Sequence, residues 1–364
     1  MTGVTETTVD PVEALAERLF EEGIGAFHLT TVYLGIRLGL FRALAEKPGQ
    51  TARELATAAS IDERYAVEWL QAETIAGLLM SDGADYTRAR FALADGVEAT
   101  LVDEVNPAYV GGIALATAAI GTAVAPLLDA YRSGEGVPMS AYGPEIVLAQ
   151  SAFNRPAFAN ELAASWLPQM GDIHERLLDT TRPARVADVG CGCGWGAIEL
   201  AKAFPHITVD GYDADVESIA IARRNAREQG VDDRISFDLV DASTTQYGDG
   251  NYDVVFLFEC LHDIGRPVEA LMATRASVAA DGSVIVMDER TADRPQVGDP
   301  VETFFAVVSA TWCLPQSRVV PDCEAPGTLM RPATLEAFAR RAGWAGYEVL
   351  PIAHPFFRFY RLVR

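Results

Sequence analysis

Residues 186–196 read VADVGCGCGWG, a short apolar run followed by four glycines that two cysteines and a tryptophan separate. A strand that ends in glycines ahead of a helix is typical of a loop whose backbone amides hold a ligand. Read from Gly192, the run also fits the GxGxxA pattern of dinucleotide-binding folds, so the glycines alone leave the nucleotide open. The two thiols lack CxxC spacing, which argues against a metal or redox pair.

Behind this run, apolar strand-like segments alternate with helix-like segments to the end of the chain. This alternation predicts an α/β fold with a Rossmann-like, doubly wound parallel sheet, in which ligands bind beyond the carboxyl ends of the strands. Five of the strand ends carry glycine, acid or histidine: Asp188–Gly194, Asp213, Asp241, Glu259–Asp263 and Asp288–Arg290. The last two strand-like segments lie so close in sequence that we expect an antiparallel hairpin there.

The N-terminal part of the chain has a different pattern, which predicts a separate, mainly helical domain. Thr51 and Glu54 have the spacing of a capping box at a helix start, and a second amphipathic helix and a small hairpin follow. Helix, turn, helix and hairpin predict a winged helix. We therefore expect a winged-helix domain over 1–100, a helical connector or cover over 101–180, and the ligand-binding domain over 181–364.

The charge of the chain argues against nucleic acid as a partner. The 364 residues carry 29 Lys and Arg against 51 Asp and Glu, a net charge of -22. From Thr51 to Met80, in the predicted winged helix, two arginines stand against five acids, whereas a recognition helix needs Lys or Arg for phosphates and base edges. We interpret this domain as a dimerisation module, so we expect a homodimer formed through it.

Cysteine usage and hydropathy favour a cytoplasmic protein. The five cysteines are odd in number and sparse, and the first twenty residues lack the basic and apolar regions of a signal peptide. Residues 105–128 carry no charge and are long enough to cross a bilayer. Because they are mostly Ala, Gly and Thr, we expect a tightly packed core or interface helix and no membrane partner.

Three features narrow the choice of ligand. Asp188 precedes the first glycine by two residues, where an anion suits an ammonium or sulfonium group better than a pyrophosphate. Asp241 ends the third predicted strand, where it can accept a hydrogen bond from an adenine amino group. The sheet also closes with a hairpin and lacks a second mononucleotide half.

With these features, VADVGCGCGWG resembles motif I of the class I S-adenosylmethionine-dependent methyltransferases. Residues 212–215, 241–243 and 252–263 resemble their later motifs, and the winged helix extends the resemblance to the dimeric O-methyltransferases of plants and actinobacteria, nearest to a mycobacterial-type branch. The resemblance implies S-adenosylmethionine as cofactor. It implies a cofactor set of Asp188 for the amino group, Gly190, Gly192 and Gly194 for the backbone, Asp213 for the ribose, Asp241 and Ala242 for the adenine, and Glu259.

The resemblance also suggests a base for a methyl transfer to a hydroxyl. His262 falls where the plant enzymes carry a histidine in an LHDW sequence, although this chain reads LHDI. Asp288, with Glu289 beside it, falls where an acid orients that histidine. The alternative is that His262 only bonds locally. A metal site built from these acids and His262 is disfavoured, because no second ExxH or Cys/His cluster appears in the sequence.

We expect a small-molecule acceptor, aromatic or polyketide-like. Its candidate contacts are His28 and Tyr33 on an N-terminal helix, and Phe304 and Trp312 in the insertion that follows the fifth strand. Two other functions stay open. One is an enzyme of the same fold that keeps the cofactor but does not methylate; the other is a cofactor-sensing regulator that uses the winged helix.

Overall fold

The computed structural model describes residues 10–364. The first nine residues lie outside this range, and with them part of the predicted 1–100 domain and of the N-terminal stretch judged not to be a signal peptide. The described chain forms two compact units, one up to Ala118 and one from Ala119 to Arg364. The division between them falls inside one helix, Gly111–Ser133.

The first unit is a winged helix preceded by a long helix, as the sequence predicts. Its three short strands pair antiparallel in the order β1-β3-β2. These strands are β1 (Gln50–Thr51), β2 (Leu79–Ser81) and β3 (Arg90–Leu93). The helices are α1 (Pro11–Arg37), α2 (Leu40–Glu46), α3 (Ala52–Ala59), α4 (Glu63–Ile75), α5 (Val97–Leu101) and the first residues of α6 (Gly111–Ser133).

Local caps set where the helices of this unit begin. The Thr51 hydroxyl accepts the Glu54 backbone N–H, and the Glu54 carboxylate accepts the Thr51 N–H, which completes the predicted capping box. Asp62 caps α4 in the same way by accepting two backbone N–H groups. Leu70 and Phe91 are completely buried between these helices and the sheet. Caps and apolar faces thus agree on one packing.

Within residues 10–364, α6 is the only single helix that is long and apolar enough to cross a bilayer. Helices α1 and α2 are long and apolar enough only when taken together, and a bend of 59° separates them. In the most apolar window of α6, 44% of the residues are buried inside the protein. Such burial is what a packed helix of small residues gives, in line with the expectation from its Ala, Gly and Thr content.

The second unit is built on a seven-stranded sheet with the order β6-β5-β4-β7-β8-β10-β9. Strands β4 to β8 are mutually parallel, whereas β10 runs antiparallel to both neighbours. The predicted Rossmann-like sheet and its closing hairpin are therefore confirmed. The strands are β4 (Arg185–Val189), β5 (Thr208–Asp213), β6 (Ile235–Leu239), β7 (Tyr252–Phe258), β8 (Val278–Glu289), β9 (Gly346–Val349) and β10 (Phe357–Val363).

Helices cover this sheet, which explains why its central strand β7 is nearly all apolar. In β7, the side chains of Val255, Phe256 and Leu257 are completely buried, as expected for a strand that is covered on both faces. The α-helices after α6 are α7 (Glu145–Ala157), α8 (Asp172–Leu178), α9 (Trp195–Ala203), α10 (Val216–Glu228), α11 (Pro267–Ser277), α12 (Pro300–Val308), α13 (Leu314–Ser317) and α14 (Pro332–Arg341). Two π-helical segments, Phe158–Trp166 and Ser309–Cys313, and three 3₁₀ turns, Met139–Tyr142, Leu167–Met170 and Leu261–Asp263, complete the unit.

Candidate active site

The parallel strands end at one edge of the sheet, and a pocket opens there. Asp188, Gly190 and Gly192 line it, together with residues of α7 and α9. Most of the strand-end residues that the sequence analysis identified are the last residues of these strands or follow them directly. The pocket is thus where a doubly wound sheet places its ligands.

Asp188 brings a buried carboxylate to this pocket. Only 1% of the residue is exposed, and its Oδ2 accepts the backbone N–H of Ala197 in the first turn of α9 at 3.0 Å. Its Oδ1 has no hydrogen-bond partner within residues 10–364. Burial raises the pKa of Asp188 to about 7, although the Ala197 N–H acts in the opposite direction. A free carboxylate oxygen beside a pocket favours a ligand with a cationic donor.

The glycine loop between β4 and α9 makes room for a ligand at one position. Gly190, Gly192 and Gly194 have φ angles of 69°, 51° and 81°, which favour glycine. A Cβ on Gly190 would lie 2.5 Å from the Cys260 Cβ, and one on Gly194 would lie 2.6 Å from the Phe237 ring. A Cβ on Gly192 would meet no atom of the described chain within 4 Å. Packing therefore requires the outer two glycines, while Gly192 borders open space.

Two further acids predicted for the cofactor hold loops in place. Asp213 accepts the N–H groups of Gly192 and Asp215, each at 2.8 Å, so it ties the glycine loop to the end of β5. Asp241 accepts the N–H and the hydroxyl of Ser243 at 2.8 and 2.6 Å. It lies two residues beyond the last residue of β6, not at the strand end as predicted. Ala242 beside it is buried.

Helix α7 and the π-helical segment after it cover the pocket, and the sequence pointed to only part of this cover. The Trp195 indole donates to the Ser151 hydroxyl at 2.8 Å, and the Arg155 guanidinium lies 4.1 Å from the centre of the Trp195 ring. The Phe158 ring packs against Phe258 at 5.3 Å. The family resemblance of residues 153–158 indicated a covering segment, but nothing in the sequence singled out Ser151.

His262 lies in the 3₁₀ turn after β7, beside the acids that were predicted to orient it. Its Nδ1 is 2.9 Å from Asp288 Oδ1 and 3.0 Å from Glu289 Oε2. On the other side of the ring, Nε2 is 3.3 Å from Asp263 Oδ1. The residue is only 2% exposed. The structure therefore brings the three predicted catalytic residues into contact and adds Asp263, which leaves carboxylates at both ring nitrogens.

The charges of this cluster shift one another strongly. Burial lowers the pKa of His262, but the carboxylates of Asp263, Glu289 and Asp288 outweigh it and raise that pKa well above its ordinary value. Burial raises the pKa of Glu289 well above its usual range. For Asp288, His262 and the Glu289 contacts prevail over burial and lower the pKa. The acids therefore stabilise the positively charged form of the ring.

Glu259 follows β7 directly and has a backbone conformation that few side chains adopt. Its φ is 50°, and its N–H donates to the Met287 carbonyl at 2.7 Å, which holds it beside β8. The residue is half-buried, and its Oε2 is unpartnered within the part of the chain that the structure describes. Burial raises its pKa to about 7, against the effect of His262. Left-handed backbone at a non-glycine residue costs of order 1 kcal/mol and concentrates at functional sites.

The acceptor candidates fall into different environments. Phe304 is 39% exposed, and its ring lies 6.2 Å from Phe153 and 6.0 Å from Phe305. Trp312 is buried, and its indole donates to the Gln316 side chain at 2.9 Å. Of the two, Phe304 is therefore the ring that presents an open aromatic surface.

His28 and Tyr33 belong to the first unit. The His28 Nε2 lies 3.1 Å from Glu73 Oε2, a carboxylate that is itself completely buried. Tyr33 packs, partly buried, against the core of the same unit. Both residues thus have structural contacts within their own unit, and their part in acceptor binding stays a prediction.

Two family models match parts of the chain. One described as "Methyltransferase domain" covers residues 181–314, and one described as "Rv2258c-like winged HTH domain" covers residues 25–95. The norajmaline N-methyltransferase of Rauvolfia serpentina is 32% identical over 106 residues, which are 29% of this chain and 36% of that protein. The match thus spans about a third of the length of this curated relative.

Solved structures match over the whole chain. A putative O-methyltransferase from Nostoc punctiforme has a TM-score of 0.67 at 20% identity, covering 98% of this chain and 100% of its own. Human N-acetylserotonin methyltransferase in complex with S-adenosylmethionine has a TM-score of 0.66 at 16% identity, covering 100% and 99%. At such identities the likeness establishes the shared fold.

Proposed function

The chain joins a methyltransferase domain of the class I, S-adenosylmethionine-dependent type to a winged-helix domain, and from this premise we propose that it methylates a hydroxyl of a small molecule. The proposal rests on two features that lie side by side. Within the described part of the chain, Asp188 Oδ1 has no hydrogen-bond partner, and the backbone at Gly192 borders open space. Asp188 provides a negative charge, Gly192 lets a ligand come close to the backbone, and both residues line the same pocket.

The residues of the pocket fit S-adenosylmethionine, which supplies an activated methyl group on a sulfonium when it is bound. Asp188 would hold its amino group, and the glycine loop would line it at the N-terminus of α9. Asp213 accepts the backbone N–H groups of Gly192 and Asp215, and a carboxylate has about four acceptor positions, so lone pairs remain for the ribose hydroxyls. Asp241 and Ala242 would frame the adenine. Glu259 would close the set from the end of β7.

His262 is the proposed base that removes the hydroxyl proton of the acceptor. Asp288 holds its Nδ1 at 2.9 Å, as an orienting acid does. A proton taken up at Nε2 would be stabilised by Asp263, which lies 3.3 Å away. Glu289, at 3.0 Å from Nδ1, completes the set of acids that stabilise the imidazolium. The general-base step contributes typically about 10²–10⁴-fold to such a rate.

The acceptor that we propose is aromatic or polyketide-like. The exposed Phe304 ring, backed by Phe153 and Phe305, supports this class, because aromatic faces stack on planar ligands. Trp312, His28 and Tyr33 stay in the proposal as further acceptor contacts.

A second candidate function is chemistry other than methylation on the same bound cofactor. The burial of His262, 2% exposed with carboxylates on both sides, favours it, because a base must reach the proton it removes. Isotope tracing separates the two candidates. Transfer of labelled methyl from S-adenosylmethionine to any acceptor supports methylation, whereas cofactor binding with label-free products supports the second candidate.

We propose that the winged helix does not bind nucleic acid. The two arginines between Thr51 and Met80 are both engaged by acids: Arg53 lies 3.1 Å from Glu63, and Arg64 pairs with Glu68. These pairs leave this segment without the free cations that phosphate contacts need within the described chain. A mobility-shift assay at low salt with DNA from the region upstream of its own gene should be negative.

The same proposal includes three further statements. The domains span 1–100, 101–180 and 181–364. The protein forms a homodimer through its N-terminal domain, and it is cytoplasmic and has no membrane partner. Exposed apolar side chains along α1 support the dimer. Burial of 44% of the most apolar stretch of α6 supports a packed helix and argues against a membrane span.

Calorimetry with S-adenosylhomocysteine tests the cofactor part, and the absence of binding to the folded protein would remove the whole proposal. The His262→Ala variant tests the base. It should slow methyl transfer about 100-fold or more while cofactor affinity stays near wild type. His174→Ala, which removes a histidine that packs against Phe204 outside the cluster, is the control. Unchanged turnover in His262→Ala would exclude it as the base.

A further inference from the structure

Four acid side chains surround His262, and each has a buried oxygen with no hydrogen-bond partner other than the His262 ring among the described residues. They belong to Glu259, Asp263, Asp288 and Glu289. The last two residues are 1% and 3% exposed. Buried polar atoms nearly always have a partner, so several unpartnered oxygens in one place call for a ligand that they share.

The charge of this cluster points to a cation as that ligand. A protonated His262 supplies one positive charge, whereas four acids can carry up to four negative ones. Buried charges are normally paired with an opposite charge or coordinate a metal, because the effective cost of burying an ion alone is several kcal/mol. Either additional protons or a metal ion must therefore balance the acids.

The distances match the donor set of a metal ion. His262 Nδ1 is 2.9 Å from Asp288 Oδ1 and 3.0 Å from Glu289 Oε2, and the three ligand atoms all lie within 4.8 Å of one another. Ligand atoms at about 2.0–2.2 Å from a Zn²⁺ ion are about 3.0 Å apart at a 90° angle and about 3.4 Å apart at the tetrahedral angle, so small side-chain shifts would let these atoms share one ion. One nitrogen and two oxygens can thus face a common centre.

Contrary to the expectation from the sequence, we propose that His262, Asp288 and Glu289 bind a divalent transition-metal ion of the Zn²⁺ or Mn²⁺ class. The imidazole nitrogen favours such ions over Mg²⁺ and Ca²⁺, and the two carboxylates supply the charge. Three protein ligands leave at least one coordination position for water or another ligand, as in the open type of zinc site.

Metal binding has a consequence for the base, and this step rests on the proposed function. Starting from the ring with a proton on each nitrogen, the ion takes the place of the Nδ1 proton, which is released to solvent. The remaining ring proton then lies on Nε2, facing Asp263. In this form His262 has no free lone pair for a hydroxyl proton, so the metal-bound protein cannot use it as a base.

The test is metal binding by the full-length protein after dialysis against a chelator. Calorimetric titration with Zn²⁺, and separately with Mn²⁺, should show one ion per chain and proton release that scales with the ionisation heat of the buffer. Elemental analysis after gel filtration should find the same stoichiometry for the ion that binds. Mg²⁺ should bind far more weakly than either, because the site has a nitrogen ligand.

Variants locate the site. Glu289→Gln should weaken binding at least 10–100-fold, the range measured for groups that only support metal ligands. Glu336→Gln removes an acid of an exposed helical pair with Arg340 and should change nothing. Cys313→Ser should also bind as the wild type does, because the thiol belongs to the alternative group on the Nε2 side, with His262 and Asp263.

Several outcomes would overturn the proposal. If the wild-type protein binds neither Zn²⁺ nor Mn²⁺, protons balance the charge of these acids and the proposal is wrong. Binding that Cys313→Ser abolishes and Glu289→Gln preserves would move the ion to the Nε2 side. S-adenosylhomocysteine binding by each variant shows that it is folded, and Glu289→Asp, which keeps the charge, should retain part of the affinity if Glu289→Gln does not fold. Metal binding without cofactor binding would remove the proposed function and leave the metal site.

Discussion

Asp188 is the residue at which cofactor binding and stability oppose each other. Its pKa is about 7 in the folded protein and near 3.8 in an unfolded chain. Between about pH 4 and 7 the folded state therefore holds a proton that the unfolded state has lost, so this residue makes the protein less stable as pH rises through that window. Above it, both states are ionised and the loss is complete.

Asp188→Asn should therefore stabilise the cofactor-free protein at pH 8 relative to wild type, with a difference that shrinks towards pH 5. The amide oxygen can still accept the Ala197 N–H. Thermal unfolding of both proteins at pH 5, 6, 7 and 8 measures this. A variant that is less stable than wild type at every pH would contradict the buried-charge explanation.

The same variant should bind S-adenosylhomocysteine more weakly, because a hydrogen bond to a charged group contributes about 1.5–3 kcal/mol, or roughly 10–150-fold in affinity. Wild-type affinity should rise between pH 6 and 8 as Asp188 ionises, and that rise should be largely lost in Asp188→Asn. Calorimetry across this range checks both. Equal pH profiles would assign the amino-group contact to another residue.

At the same scale, the sequence predicted which acids meet but not how they meet. Asp188 was identified because it follows an apolar strand and precedes glycines, a pattern that chain order alone carries. The resemblance to the plant enzymes predicted that Asp288 and Glu289 lie near His262, and the structure places them at the end of the strand next to β7. Which ring nitrogen of His262 faces which carboxylate depends on the side-chain rotamers, and the pattern of residues along the sequence does not predict rotamers.

At the scale of the element, the β4–α9 loop separates two uses of glycine. Gly194→Ala should destabilise the protein beyond the roughly 1 kcal/mol of a positive φ, because its Cβ would approach the Phe237 ring to 2.6 Å. Gly192→Ala has the same φ penalty without a clash in the described chain. Its methyl group would instead occupy the ligand's space, so cofactor affinity should fall about tenfold or more.

Denaturant unfolding and S-adenosylhomocysteine titration of the two variants give the comparison. The expected pattern is reciprocal: Gly194→Ala loses more stability, and Gly192→Ala, folded, loses more affinity. A Gly192→Ala protein with wild-type affinity would show that the ligand does not approach this glycine, and the assignment of the loop as its cradle would be wrong.

The central strands β4, β7 and β8 could be predicted because each has an apolar run that ends at or just before a glycine or an acid. The cover of α7 and the π-helical segment could not be derived in this way. Its contacts, such as Ser151 with Trp195, join residues 44 positions apart, and neither partner has a chemical signature of its own. Long-range packing of ordinary residues decides such elements.

At the scale of the whole molecule, α1 presents an apolar surface that a lone chain would leave in water. Leu19, Phe20, Ile24 and Phe27 follow one another at helical spacing and are 54%, 70%, 54% and 80% exposed. Contiguous exposed apolar surface of this kind marks an interface. We expect the surface to be buried against a second copy in the proposed homodimer.

Phe20→Glu combined with Phe27→Glu should therefore convert the dimer into a monomer, because two charges cannot be buried without partners. Val297→Glu, at a fully exposed apolar residue in the loop before α12, is the matched control and should stay dimeric. Light scattering coupled to gel filtration measures the mass, and cofactor titration shows that the second unit is intact. A wild-type monomer, or a double variant that remains a dimer, would place the interface elsewhere.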